Sequence, residues 1–145
     1  MIYEKACGFI VYRENQNIRE YLIIRALNGE YGFPKGHVEC DETEYETAIR
    51  ELKEETNLNV QIVEGFRRQI EYKLPNKANT IKRSVYFLGR CTETNIICQE
   101  TEVSEAKFVS IEKALELLSF ENTKMILKEA DVYIESITTM YHTLV

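Results

Sequence analysis

The segment from Thr43 to Thr56, TEYETAIRELKEET, constrains the fold most, because it specifies a helix with a fixed start and an unusual distribution of charge. Thr43 followed three residues later by Glu46 makes a capping box, in which each side chain answers the other's backbone N–H. Glu44 falls in the first turn, where the helix dipole favours negative charge. At about 100° per residue, Tyr45, Ala48, Ile49 and Leu52 share one narrow stripe, the face expected to be buried. Glu51, Glu54 and Glu55 flank that stripe as one patch, since Glu54 and Glu55 follow Glu51 by three and four residues. Their mutual repulsion opposes such a patch unless cations occupy it.

A charged helix is ordinarily a solvated face, and the Glu46/Arg50 and Arg50/Glu54 spacings would stabilise one by about a few tenths of a kcal/mol each. Two features argue for more. A glycine-rich loop, NGEYGFPKGH, runs into the helix, and the carboxylates cluster beside the apolar stripe instead of spreading round the exposed arc. Hard divalent cations such as Mg²⁺ take their oxygen ligands from a few carboxylates and from substrate phosphates, which this helix could supply.

The rest of the chain bounds what such a helix can serve. The 145 residues, 44% of them hydrophobic, fit a single domain over positions 1–145. A net charge of −6 argues against non-specific attraction to nucleic acid, so an anionic substrate needs local cations. Cys7, Cys40, Cys91 and Cys98 form no CxxC pair and read as reduced thiols, which suits a cytoplasmic protein. No apolar run approaches the roughly 18 residues of a membrane span, and the alternating N-terminus has no signal-peptide form.

ACGFIVY (Ala6 to Tyr12) and EYLIIRAL (Glu20 to Leu27) read as two strands of a hairpin, with the segment from Asn28 to His37 as loop. NVQIVEGFRRQIEYKL and TIKRSVYFLGRC read as longer strands joined by the turn PNKAN, followed by a short strand AKFVSI. A short helix over IEKALELL and a long one beginning near Phe120 close the chain, the second with Met125, Ile126, Ala130, Tyr133 and Ile134 at core spacing. This order predicts an α/β protein, a mixed sheet with helices on both faces.

Gly36, Glu42, Arg50-Glu51-Leu52, Lys53, Glu54-Glu55, Thr56 and the apolar Leu58 resemble the Nudix box, which fixes these residue types over the 23 positions from 36 to 58. The resemblance implies the Nudix fold, an α/β/α sandwich, and hydrolysis of a nucleoside diphosphate linked to a further group. It implies Mg²⁺ or Mn²⁺ held by Glu51, Glu54, Glu55 and the carbonyl of Gly36, with Arg50 orienting the carboxylates. Asn57 stands where the pattern has glycine. Asparagine is the next residue to tolerate the left-handed conformation, so the helix cap is expected to survive.

Three segments, ACGFIVYR, FPKGHVE and VEGFRRQIEYKLPNK, resemble the asymmetric bis(5'-nucleosyl)-tetraphosphatase branch of that family. In that branch the lysine of the PKGH element and a tyrosine and lysine after the box contact polyphosphate, which maps onto Lys35, Tyr72 and Lys77, the register of Lys77 against Lys82 being open. Glu102 best matches a further carboxylate that serves as metal ligand or base, with Glu100 and Glu105 as near alternatives, so either Glu54 or Glu102 would take the proton from water. Arg68 is a further candidate cation. His37 is placed with the substrate loop, and Phe120 is either a base-stacking platform or an ordinary helix-staple residue. The reading is a monomer that takes a small nucleotide polyphosphate, diadenosine tetraphosphate, to ATP and AMP. The alternative is a Nudix pyrophosphohydrolase acting on RNA 5'-triphosphate ends or free nucleoside triphosphates. A non-catalytic Nudix module, a third possibility, would usually lack box carboxylates, and here all are present.

Overall fold

The computed structural model describes residues 1–93 and 95–144, the side chains of 141–144 excepted. Strand β1 (Ile2–Asn15) is the centre of a seven-stranded sheet in which β3, β2, β1, β6 and β5 follow one another, with β4 also paired to β1 and β7 to β2. β1 runs parallel to β6 (Thr80–Arg90) and antiparallel to β2 (Ile18–Ala26), so the sheet is mixed. The β1–β2 turn places Gln16 and Asn17 at φ 53° and 67°, two left-handed residues whose twist suits a tight hairpin.

Every residue from Ala6 to Tyr12 except Gly8, which packs against backbone, is an apolar side chain buried in the core. Both faces of β1 are covered, so the run is apolar throughout and does not alternate as expected. Cys7, Phe9 and Val11 meet Ala48 and Leu52 of α1 (Glu44–Thr56) on one face. Ile10 and Tyr12 share a second core with Ala114 of α2 (Ile111–Leu117) and Ile126, Leu127, Ala130 and Ile134 of α3 (Glu121–Leu144). The architecture is the expected α/β/α sandwich.

α1 has the predicted ends. The Thr43 hydroxyl accepts from the Glu46 N–H at 3.1 Å and the Glu46 carboxylate accepts from the Thr43 N–H at 2.9 Å. Asn57 sits at φ 64°, ψ 15°, and its N–H donates to the Lys53 carbonyl.

Four expectations need correction. The segment after β2 is not all loop, since β3 (Tyr31–Gly32) pairs with β2 and β4 (Lys35–His37) with β1. Strands of two and three residues carry no period to read. β4 can lie close because Gly8 lacks a Cβ, which would fall 2.1 Å from the Pro34 carbonyl oxygen. Secondly, α1 is rolled about its axis: Ala48, Glu51, Leu52 and Glu55 are buried, while Tyr45 and Ile49 are 37% and 45% exposed. Tyr45 instead stacks on Phe87 of β6, ring centroids 4.0 Å apart. Thirdly, Glu46 is engaged in the capping box, and the Arg50 partners are Glu42, Glu51 and Glu54. Fourthly, Met125 is 61% exposed although Ile126, Ala130 and Ile134 are buried, because the stripe facing the sheet begins one residue later.

Candidate active site

β4 lies against α1 and sets the first part of the site. A Cβ on Gly36 would fall 2.0 Å from the Glu51 carboxyl carbon, so any larger residue would displace that carboxylate. The neighbouring Lys35 N–H faces the carboxylate of Glu55 and favours its charged form. Arg50 supplies the frame around them. Its Nε and Nη2 grip the two oxygens of Glu42 at 2.6 and 2.9 Å, a bidentate fork. Its Nη1 donates to Glu51 at 2.8 Å and to Glu54 at 3.2 Å, and Nη2 also reaches the His37 carbonyl at 3.0 Å. One guanidinium therefore fixes β4, the loop before α1 and two helix carboxylates together.

The second part arrives on the segment between β6 and β7 (Val103–Val109). There the Ile97 N–H donates to the Thr56 carbonyl and the Gln99 N–H to the Glu55 carbonyl, each at 3.0 Å. The Gln99 carbonyl in turn accepts from Glu102 and Val103 at 3.1 and 2.8 Å. These bonds dock the segment on the end of α1 and carry Glu102 to the helix. Oxygens of Glu51, Glu55 and Glu102 then lie within 4.8 Å of one another.

This cluster is electrostatically unsatisfied. Burial raises the Glu55 carboxyl to about 9, and the charges of Glu51 and Glu102 push in the same direction. Burial also raises Glu51, although Arg50 opposes it. The Glu55 Oε2 is buried with no hydrogen-bond partner. Three convergent carboxylates, one of which has a buried oxygen without a donor, fit a divalent cation whose remaining positions are filled by water or phosphate. Glu54 stands apart from this trio, half-exposed against Arg50.

Next to the cluster opens a cavity of about 690 Å³, whose walls include Glu55 and Glu102, Lys35 and Lys82, Tyr72 and Phe120. The Lys35 ammonium donates to the Ser84 hydroxyl at 3.3 Å and lies 6.0 and 5.9 Å from the Tyr72 and Tyr86 ring centres. Burial lowers the Lys82 ammonium, and the Lys35 charge adds to that, so two cations crowd a place suited to an anion. Phe120 is held at the rim by its neighbour: the Ser119 hydroxyl accepts from the Tyr31 N–H at 2.9 Å, and the Ser119 N–H donates to the Tyr31 carbonyl at 3.3 Å.

Other candidates lie elsewhere. Lys77 and His37 are exposed outside the cavity and both approach Glu4. Arg68 is paired with Glu129 at 3.1 Å and lies over the Phe66 ring, so it is not a cation of this cavity. The register of β5 (Gln61–Lys73) against β6 decides between the lysines, since Tyr72 pairs with Lys82 across the sheet. Sequence reasoning passed over Ser84 and Tyr86, although their alternation with Lys82 along β6 put all three on one face.

Residues 3–128 match the NUDIX domain family. The chain is 32% identical over 143 residues to the asymmetrical bis(5'-nucleosyl)-tetraphosphatase of Mus musculus, covering 90% of this chain and 95% of that protein. It superposes on the crystal structure of a C. elegans Ap4A hydrolase binary complex with TM-score 0.84 and 25% identity, over 92% of this chain and 98% of the other. An RNA pyrophosphohydrolase of Xylella fastidiosa is 39% identical, but only over 69 residues, 46% of this chain and 36% of that protein. With Glu51 and Glu55 of the box gathered with Glu102 into one carboxylate cluster and the likeness running nearly end to end, the chain belongs to the Nudix family of hydrolases and is similar there to the asymmetrical bis(5'-nucleosyl)-tetraphosphatases.

Proposed function

We propose that the chain hydrolyses dinucleoside polyphosphates with Mg²⁺ or Mn²⁺, splitting diadenosine tetraphosphate into ATP and AMP. The observation that carries this reading is the Glu51, Glu55 and Glu102 cluster opening into a cavity that also holds Lys35, Lys82, Tyr72 and Phe120. Glu51, Glu55 and Glu102, with the Gly36 carbonyl, would hold the cation. When bound, a divalent cation supplies charge neutralisation for phosphate and lowers the pKa of water. Lys35 and Lys82 bind the polyphosphate and stabilise charge that builds on it during attack. Tyr72 and Phe120 offer ring faces to a base. Arg50 positions Glu51 and Glu54 and touches no reacting atom.

Water attacks phosphorus, its proton passes to a carboxylate, and the bond to the leaving phosphate breaks. Glu102 is the exposed member of the cluster, hence the member best placed to receive that proton. Glu54 is the other candidate base, half-exposed and held by Arg50. The proposed state is a monomer. The four free thiols suit the cytoplasm, and no helix among the described residues is long and apolar enough to cross a membrane.

The partial likeness to an RNA pyrophosphohydrolase favours a second reading, action on RNA 5'-triphosphate ends. Its coverage and the net charge of −6 weigh against it. The deciding experiment offers diadenosine tetraphosphate, nucleoside triphosphates and triphosphorylated RNA in parallel and separates products by chromatography. ATP plus AMP at much the highest rate is expected. Faster release of pyrophosphate from RNA would replace this reading with the second.

A further inference from the structure

The row of charged side chains does not end at the cavity wall. Tyr72 on β5, Lys82 on β6 and Glu4 on β1 are successive Cα partners across three neighbouring strands. Glu4 is engaged through both oxygens. Its Oε2 accepts from the Lys77 ammonium at 2.8 Å, and its Oε1 lies 3.4 Å from His37 Nε2. Lys77 comes from the β5–β6 turn and His37 from the end of β4, and both side chains are about three-fifths exposed, at 60% and 59%. The Lys82 ammonium is within electrostatic reach of Lys35, Glu4 and Lys77 together. A polyanion entering over Lys35 and Lys82 therefore meets a carboxylate next, and only behind it the Lys77 ammonium.

We propose that Glu4 determines the phosphate-chain length the site accepts: its carboxylate is an internal anion on Lys77 and His37, which a chain long enough to pass Lys82 must displace. The proposal rests on the reading that polyphosphate lies along Lys35 and Lys82. A short chain ends before Glu4 and is indifferent to it. A longer one faces repulsion from Glu4 until it takes over the partners that Glu4 holds. Exposed ion pairs are weak and screened by salt, so the discrimination is a few-fold effect, largest at low ionic strength.

The test measures binding of inorganic pyrophosphate, tripolyphosphate and a longer linear polyphosphate to the full chain by titration calorimetry, at one fixed Mg²⁺ concentration and at low and high salt. Glu4→Gln, which keeps the shape and removes the charge, should tighten the longest chain roughly three- to fivefold at low salt, with pyrophosphate changing less than about 1.5-fold. The gain should shrink at high salt, and Lys77→Ala alone should weaken the longest chain more than pyrophosphate. Glu4→Asp, whose shorter side chain withdraws the charge from Lys77, should give a smaller gain in the same order and serves if the glutamine variant folds poorly. Equal tightening at every length, no tightening, or a Lys77→Ala loss equal at every length would overturn the proposal, as would failure of every polyphosphate to bind. Binding is read without turnover, so loss of the hydrolysis reading and loss of this length determinant are separate outcomes.

Discussion

Glu42, just before α1, and Glu55, in its last turn, have opposite fates. Glu42 accepts from the Arg50 Nε and Nη2, the Thr47 hydroxyl and the Glu39 N–H, and the Arg50 guanidinium above all holds its carboxyl down at about 2. Glu55 is pushed up to about 9 by burial and by its carboxylate neighbours, with one oxygen lacking any donor. The carboxylate that orients is fully answered by protein groups, and those that face the cavity are left for something positive. An acidic helix can thus be two devices at once, a rigid frame on the Arg50 side and an unsatisfied cluster on the other.

The contrast is broken most directly at Glu55. Glu55→Gln removes a ligand and a repelling charge together, so the hydrolytic rate at saturating Mg²⁺ should fall at least about 10²-fold. The metal-free variant should nonetheless unfold at a higher temperature than the parent near pH 8. A rate within a few-fold of the parent would mean that Glu55 is no metal ligand.

Arg50→Lys tests the frame. An ammonium cannot reproduce the fork to Glu42 while also reaching Glu51, Glu54 and the His37 carbonyl. Because Arg50 acts through the groups it orients, the rate should drop roughly 10- to 100-fold. The Mg²⁺ concentration giving half-maximal rate should rise with it. An unchanged metal requirement would confine Arg50 to holding the fold.

Stability against pH should show both devices in one metal-free chain. Glu42 and Glu44 have folded values near 2 against an ordinary 4.5, the second chiefly through the Arg67 guanidinium. Their contribution is present above 4.5 and is lost as pH falls toward 2. Glu55 is raised, so its contribution is full below 4.5 and is lost as pH climbs through about 9. Unfolding midpoints across this range should therefore decline on both sides, and saturating Mg²⁺ should flatten the alkaline decline alone. An alkaline limb indifferent to Mg²⁺ would contradict the unsatisfied-cluster account.

What could be read from the residues follows the range of the forces involved. The ends of α1 were legible because capping box and left-handed cap are settled within four residues of themselves. β1 was legible because a strand covered on both faces has to be apolar throughout. The roll of α1 was not, since an apolar count favours Tyr45 and Ile49, while the close approach of Gly36 to Glu51 brings the carboxylate edge inward. Glu102 could be matched by resemblance, but its arrival depends on backbone bonds from Ile97 and Gln99 to the end of α1, which no side-chain pattern encodes. Lys82 lines the cavity instead of Lys77 because of strand register, and the β5–β6 ladder contains an irregularity between Val63 and Arg67 that a reader of sequence cannot count through.

The smallest expected effect lies at Asn57, one residue past the helix, and it asks whether the cluster depends on where α1 stops. At φ 64° the asparagine carries a modest Cβ penalty that glycine would not. Asn57→Gly should stabilise the chain by up to about 1 kcal/mol and leave the rate unchanged. Asn57→Val should do the reverse, because a β-branched residue cannot hold a positive φ cheaply. The last turn would then shift, and the Glu55 and Thr56 carbonyls that receive Gln99 and Ile97 would move with it, loosening Glu102 from the cluster. Thermal unfolding and Mg²⁺-dependent rate, measured on both variants, decide the matter. A valine variant as stable and active as the parent would show that the helix end can move without disturbing the carboxylates, and that the frame held by Arg50 is sufficient to keep them in place.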